Sequence, residues 1–172
     1  YYGVNASFDF AKFLAPLNSS VISRSTLPHT IITGGENVIH RVNYFRLINS
    51  SATFSYNWHE TETKTWGLTP AFFNVIRLPE KDQTDSFRRL LSVNQYLRNS
   101  YRQTFIEGEG INFKIDDNTK RHGINYSYVR LAFEEAGGLV SILDKVGAAT
   151  YGSDTIAYSR YTKFDYDARH YF

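Results

Sequence analysis

The side chains best suited to chemistry in this sequence are histidines, serines and carboxylates, and their spacing fits no catalytic or metal-binding motif. The five histidines occupy positions 29, 40, 59, 122 and 170, and none belongs to a His-Glu-x-x-His zinc motif. No Gly-x-Ser-x-Gly nucleophile elbow occurs. The absence of cysteine removes thiol nucleophiles and zinc–thiolate sites. The sequence therefore predicts no catalytic, metal-binding or cofactor-binding residues, and no enzyme.

Glu107 and Glu109 are separated by one residue and could form a carboxylate pair for acid–base chemistry. They fall, however, on the same face of a predicted strand as several apolar residues. Either the strand reaches solvent at this point or a bulge changes its register. Gly108 and Gly110 are interpreted as strand glycines that allow a bend or a close approach. The apolar residues that share the face are Phe105, Ile111 and Phe113.

Four charged residues, two of each sign, follow one face of the last predicted strand: Lys163, Asp165, Asp167 and Arg169. In a β-barrel such a row is typical of a hydrated interior wall, where each charge meets a partner on a neighbouring strand. A catalytic role is the less favoured alternative.

The composition indicates strands with one polar and one aromatic face. Aromatic residues make up 16% of the chain, with 13 Tyr and 13 Phe, yet the mean hydropathy is −0.39. A chain that is polar on average but rich in aromatics suggests alternation of the two classes, as half-buried strands require. The net charge of +2 and the scattered Lys and Arg residues argue against a nucleic-acid partner.

No apolar run approaches the roughly 20 residues that a membrane-spanning helix needs, so the sequence predicts no such helix. A transmembrane β-strand needs only about 9–11 residues and places every second one in lipid. The chain contains no methionine and begins Tyr1-Tyr2-Gly3. This start matches neither an initiator residue nor a signal peptide, and an internal or processed segment is expected.

Period-two alternation predicts about seven strands, several of them much longer than the usual ~5–6 residues. The predicted strands cover residues 2–14, 30–41, 52–58, 65–78, 104–115, 124–132 and 158–172.

Two long loops are predicted between these strands. The first covers residues 79–102 and carries one short amphipathic helix, with Asp85 as its N-cap. The second covers residues 134–157 and is ambiguous between irregular loop and short helix.

The turns near Glu60 and Asp117 are expected to be short and to lie at the opposite edge from the long loops. Short turns on one side and long loops on the other are typical of outer-membrane barrels, and the long loops are expected outside the cell. Six aromatic residues are candidates for the membrane–water interface, although in a soluble barrel they would simply be core. They are Tyr44, Phe45, Trp58, Trp66, Tyr126 and Tyr128.

Several segments, in order along the chain, resemble the barrel of Bacteroidetes members of the BamA/TamA outer-membrane assembly family, the bacterial surface antigen family. They are LPHT at 27–30, ATFSYNW at 52–58, LTPAFFNVIRL at 68–78, RQTFIEG at 102–108, FEEAGGL at 133–139 and YTKFDYDARHYF at 161–172.

The resemblance implies an antiparallel transmembrane β-barrel in which this chain forms the central seven or so of about sixteen strands. It implies a location in the outer membrane of a Gram-negative bacterium and a role in assembling or inserting other proteins there. The implied partners are outer-membrane lipid, the remaining strands, periplasmic repeats, client outer-membrane proteins and accessory lipoproteins. The family's Arg-Gly loop has no counterpart, because no Arg-Gly pair occurs in this sequence.

Two alternatives remain open at this stage. The chain could form a complete eight-stranded outer-membrane barrel that acts as an anchor or adhesin, with Phe172 as its terminal aromatic residue. It could instead form a soluble β-barrel whose aromatic faces point inwards and bind an apolar ligand.

Overall fold

The computed structural model describes residues 1–14, 27–118, 125–138 and 157–172, and it shows an all-β fold with a few short helices. The strands are β1 (Tyr2–Phe10), β2 (His29–Arg41), β3 (Phe45–His59), β4 (Lys64–Arg77), β5 (Thr104–Asp116), β6 (Tyr126–Ala136), β7 (Ala157–Tyr158) and β8 (Tyr161–Tyr171).

The sheet is an antiparallel meander in which each strand pairs with the next along the chain. The order is β1-β2-β3-β4-β5-β6-β8, and the two-residue β7 pairs in parallel with the start of β5. A tight turn joins β2 to β3, with Asn43 at a φ of 63°, which asparagine tolerates better than most residues. A second turn joins β3 to β4 and is closed by the Glu60 amide, which donates to the Lys64 carbonyl at 3.0 Å.

The described part of the sheet does not close on itself. β1 and β8 are its two edges, and every residue of β1 is exposed. The prediction of an all-β antiparallel architecture is confirmed, whereas a closed transmembrane barrel stays a prediction. None of the described helices is long and apolar enough to cross a membrane.

A bulge in β4 explains how Pro70 is tolerated inside the sheet. The pairing of β4 shifts on both sides at residues 69–71, against Phe54–Tyr56 of β3 and against Gly108–Gly110 of β5. Proline has no N–H to donate, and bulges are among the few sheet positions where it fits. The pairing between β5 and β6 is regular throughout, so Glu107 and Glu109 remain on the apolar face and no bulge in β5 turns them away.

The connection from β4 to β5 contains two helices where the sequence predicted one. A 3-10 turn over Glu80–Asp82 precedes α1 (Asp85–Val93) and α2 (Gln95–Ser100). The prediction that Asp85 caps the helix is wrong, because Asp85 is already its first residue. The preceding residue, Thr84, provides the cap, and its hydroxyl accepts from the Phe87 amide at 3.3 Å.

The only cluster of buried apolar residues in the described chain lies beneath α1. Phe87 packs on Phe45 with ring centroids 4.8 Å apart, and Leu78 completes the centre of the cluster. Leu47, Leu91 and Tyr101 surround it. This cluster holds the helices against the sheet at the end of β3 that is remote from the β3–β4 turn.

Three predicted boundaries differ from the structure by four residues or more. β1 ends at Phe10 rather than near residue 14, β3 begins at Phe45 rather than at residue 52, and β6 continues to Ala136. The predicted second loop therefore begins no earlier than residue 137, and its residues 139–156 lie outside the described part of the chain.

Candidate functional site

The pairing register divides the sheet into two chemically distinct faces. One face, here called the aromatic face, carries Tyr56, Trp58 and Trp66. Because paired residues share a face, the register places further apolar residues on the same side of every strand. They include Tyr2, Val4, Phe8, Phe10, Ile32, Phe54, Leu68, Phe73, Ile111, Phe113, Leu131, Phe133, Phe164 and Tyr166.

Much of the aromatic face is exposed. Val4 is 77% exposed, Phe164 66%, Phe133 43% and Phe73 42%. These residues lie on strands at both edges and in the middle of the sheet, so the exposed apolar surface is not confined to one edge. A surface of this kind indicates contact with an apolar environment or a partner.

The opposite face, here called the polar face, is lined by amides, hydroxyls and charges. A groove of about 390 Å³ runs across it. Its polar walls include Ser51, Thr53, Thr69, Asn74, Asn112, Arg130, Glu134, Lys163 and Asp165.

The predicted charge row of β8 lies on this polar face, and two of its four residues are set opposite a residue of opposite charge on β6. The register sets Lys163 opposite Glu134 and Asp167 opposite Arg130. Within β8, the Lys163 ammonium lies 2.9 Å from Asp165, and the Arg169 guanidinium binds Asp167 through two hydrogen bonds of 2.7 and 2.9 Å. The row is thus a network of compensated charges, and no carboxylate in it is poised as a lone base.

A row of aromatic rings crosses the aromatic face beside the β3–β4 turn. Trp58 stacks on Trp66 with centroids 6.3 Å apart, and Trp66 lies 4.4 Å from Phe113. On the other side, Phe13 meets Tyr56 and Trp58 edge-on at 5.3 and 5.9 Å. The row therefore spans three strands and the chain that follows β1.

The polar end of Trp66 points away from this row towards the turn. Its indole Nε1 donates to the Glu60 Oε2 carboxylate at 2.7 Å. This hydrogen bond, together with the nearby Lys64 ammonium, holds the pKa of Glu60 below its usual value. The Trp66 ring thus lies on the sheet, and its N–H is hydrogen-bonded on the side that faces the turn. Tryptophans at membrane interfaces have the same arrangement.

Buried hydroxyls fix the chain after β1 across the aromatic face. The fully buried Thr30 hydroxyl donates to the Lys12 carbonyl at 2.7 Å and accepts from the Leu14 amide at 3.0 Å. The Tyr56 hydroxyl donates to the Leu14 carbonyl at 2.9 Å. These bonds place Phe13 in the aromatic row.

The structure does not bring the six predicted interface aromatics together. Trp58 and Trp66 are neighbours in the aromatic row. Phe45 is buried under α1 on the polar face, with Tyr44 beside it at the far end of the sheet. The other two, Tyr126 and Tyr128, lie on the polar face, where Tyr126 stacks on Tyr171.

Three members of the aromatic row, Phe13, Tyr56 and Phe113, were not among the six predicted interface aromatics. Phe113 could have been found, because it alternates with polar residues along β5 in phase with its neighbours. Phe13 could not, because it follows the end of β1 and reaches the row only through the hydrogen bonds of Thr30 and Tyr56.

Carboxylates mark one limit of the apolar band on the aromatic face. On β2 the limit is Glu36, which is level with Ser50 of β3. On β5 the carboxylate nearest to the β3–β4 turn is Glu109, four residues nearer to that turn than Phe105, which is level with Glu36. On β6 the limit is Glu135, which pairs with Glu109. The apolar band therefore runs diagonally across the strands.

The described residues contain no group of three His, Asp or Glu side chains that could hold a metal ion. The Ser127 hydroxyl lies 2.9 Å from His170 Nδ1, but the other described neighbour of that ring is Phe172, which supplies no carboxylate to orient it. His29 pairs with Asp9 at 2.8 Å at the exposed surface.

Comparison of the chain with protein-family models, with curated proteins and with solved structures found no match.

Proposed function

We propose that this chain is part of an outer-membrane β-barrel of the BamA/TamA type, which assembles or inserts proteins into the bacterial outer membrane. The proposed membrane location is supported by the exposed aromatic face, which lies opposite a polar face. In a transmembrane barrel the first would contact lipid and the second a hydrated interior.

The strand lengths support this placement. β3 has 15 residues, which corresponds to about 50 Å at ~3.4 Å per residue. Tilted by about 40°, it would rise roughly 38 Å and exceed an apolar band of about 25 Å. The excess is expected at the end that carries α1 and α2, where the aromatic face gives way to Glu36 and Arg77.

The diagonal course of the apolar band supports a barrel rather than a flat sheet. Closing a barrel requires the strands to tilt, so rows of paired residues run obliquely to the membrane plane. The boundary between apolar and charged residues must then step along the strands from one to the next. A step of this kind separates Glu36 on β2 from the paired Glu109 and Glu135 on β5 and β6.

The two open edges imply further strands. In a bilayer an unpaired strand edge would leave its backbone N–H and C=O groups without partners. β1 and β8 are both long enough to cross the membrane, with nine and 11 residues. In the proposed barrel, additional strands pair with both edges and bring the total to about sixteen.

The role in assembly rests on the resemblance of the ordered sequence segments to the BamA/TamA family. A member of that family would offer strand edges to incoming β-hairpins and thin the nearby bilayer. Its clients would be other outer-membrane proteins, helped by periplasmic repeats and accessory lipoproteins. No catalytic residue is required for this activity, because the work consists of pairing strands in lipid.

The proposed function is tested by depleting the native protein in its own cells. The abundance of folded outer-membrane proteins is then measured by their heat-modifiable mobility on gels. We expect folded clients to fall several-fold while inner-membrane proteins are unchanged. Unchanged client levels would overturn the assembly role and leave the anchor or adhesin alternative.

The soluble-barrel alternative receives less support. It requires the aromatic residues to face inwards and enclose the ligand. The groove of about 390 Å³, however, lies on the polar face. Aromatic-face residues such as Phe164 and Tyr166 are exposed.

A further inference from the structure

A narrow apolar groove opens on the aromatic face, just below the aromatic row. Its volume is about 190 Å³, less than the roughly 300–1,000 Å³ of a pocket for a drug-sized ligand. A slot of this size suits a stretch of single hydrocarbon chain. The side chains that form its walls are Trp66, Ile111, Phe113, Leu131, Phe133 and Phe164.

A cationic group lies between this groove's Trp66 wall and the β3–β4 turn along β4. Lys64 shares the aromatic face with Trp66 and is two residues nearer to the turn. Its ammonium lies 3.6 Å from Glu60 Oε1, which is longer than a hydrogen bond. An ammonium has three N–H donors, so Lys64 can bind an additional oxygen anion.

Trp66 links Glu60 and Lys64 at the turn to the apolar groove. Its ring forms one wall of the groove, and its Nε1 donates to the second oxygen of Glu60. The hydrogen bond fixes the indole with its ring on the groove and its polar edge beside Lys64. An apolar slot that ends at a fixed ring and a cation is complementary to an amphiphile with one anionic head.

We propose that Lys64 and this groove bind one phospholipid, with an acyl chain in the groove and the phosphate on the Lys64 ammonium. The proposal rests on the proposed function, because the groove meets lipid only if the aromatic face does. It adds a preferred lipid position to a surface that would otherwise contact lipid uniformly.

The test uses the native protein reconstituted in vesicles, with Trp66 fluorescence as the reporter. Trp58→Phe leaves Trp66 as the remaining tryptophan of this chain, and the signal is taken as the difference from Trp58→Phe/Trp66→Phe. Brominated phosphatidylglycerol, a quencher, competes with an unbrominated diacyl lipid whose headgroup is an uncharged sugar. The dependence of quenching on lipid ratio gives the relative affinity at Trp66.

We expect a preference of about three- to fivefold for the phosphate-bearing lipid, the size that one lysine near an anionic headgroup provides. Lys64→Gln should remove most of this preference. Lys114→Gln is the matched control, because Lys114 pairs with Thr65 at the same level but on the polar face. It should leave the preference unchanged. Heat-modifiable mobility confirms that each variant is folded.

Three other outcomes would overturn either the phospholipid site or the proposed membrane location. Quenching that persists in Lys64→Gln with the preference intact would overturn the phospholipid site and leave the membrane location standing. An equal loss in Lys114→Gln would overturn it too, because general surface charge would then be responsible. Absence of quenching by any brominated lipid would overturn the proposed membrane location itself.

Discussion

At the scale of single residues, side chains at the edge of the aromatic face combine an apolar body with a satisfied polar atom. Trp66 donates to Glu60, Tyr56 donates to the Leu14 carbonyl, and Thr30 both donates and accepts. A polar atom near lipid costs free energy unless it is hydrogen-bonded. These bonds therefore allow aromatic and hydroxyl side chains to lie where the apolar band ends.

The Trp66–Glu60 hydrogen bond predicts a pKa change. Because the folded pKa of Glu60 is lowered chiefly by Trp66, its ionised form favours the folded state. That contribution is present at neutral pH and is lost as the pH falls through the folded pKa. Trp66→Phe should raise the pKa of Glu60 towards its ordinary value, as measured by carboxyl NMR titration. Trp58→Phe should leave it unchanged; a similar rise there would show that general aromatic packing is responsible.

The Thr30 hydroxyl predicts a stability change. Thr30→Val keeps the shape but leaves the Lys12 carbonyl and the Leu14 amide without their partner. The expected loss is about 1–3 kcal/mol of unfolding free energy, measured by denaturant titration in lipid or detergent. Thr33→Val on the polar face of the same strand is the control and should change stability by less than about 0.5 kcal/mol. Equal effects of the two variants would contradict the assigned role of Thr30.

At the scale of elements, alternation in sequence predicted the strands wherever one face is uniformly apolar. It failed over residues 45–51, where β3 had to be found from the structure. There Phe45 and Leu47 lie on the polar face, because α1 covers that face locally. Arg46 and Ser50 lie on the aromatic face, beyond the apolar band. This exchange of apolar and polar residues between the two faces depends on where α1 packs on the sheet. The local sequence pattern does not contain that information.

The packing of α1 predicts a local change when its anchor is removed. Phe87→Ala should cost about 3–5 kcal/mol of local packing, because Phe87 fills the cluster with Phe45 and Leu78. We expect the helices to detach and trypsin to cleave quickly at Arg88 or Arg89, while the strand content seen by circular dichroism stays constant. Val93→Ala, at a residue that is 83% exposed, should cleave like the wild type. Unaltered cleavage of Phe87→Ala would contradict the assigned anchor.

The bulge of β4 predicts that one glycine of β5 cannot be replaced. A Cβ at Gly108 would collide with the Glu135 carbonyl and the Phe72 ring. Gly108→Ala should therefore destabilise the fold by about 1–3 kcal/mol, measured by denaturant titration. Gly34→Ala is the control, because a Cβ there has no neighbour closer than 3.9 Å. If Gly108→Ala lowered the unfolding free energy no more than Gly34→Ala does, the described packing of β5 on β6 would be wrong.

At the scale of the whole molecule, the two faces of the sheet differ in chemistry. The apolar face is largely exposed, the polar face lines a groove, and the buried apolar cluster of the described residues is small and lies at one end. The sequence predicted the two faces because period-two alternation records side-chain direction directly. It could not predict which aromatics form the interfacial row, because that depends on register and on contacts between distant segments.

The placement of the connections agrees only partly with the expected asymmetry. The turn at 60–63, the end of β5 and the start of β6 lie at one edge of the sheet, and residues 78–103, the end of β6 and the start of β8 lie at the other. The end of β1 and the start of β2, however, lie at the same edge as the β3–β4 turn, and the tight turn at 42–44 lies at the opposite edge. The location of the long loops outside the cell stays a prediction, which protease accessibility on intact cells would test.

The central claim is that the aromatic face contacts lipid and the polar face contacts water. It is tested most directly by nitroxide labels placed one at a time at residues 51–54 of β3, in the native protein reconstituted in vesicles. We expect accessibility to oxygen to peak at Ala52 and Phe54, and accessibility to a water-soluble nickel chelate to peak at Ser51 and Thr53. Equal chelate access at all four positions, or the opposite phase, would contradict the account.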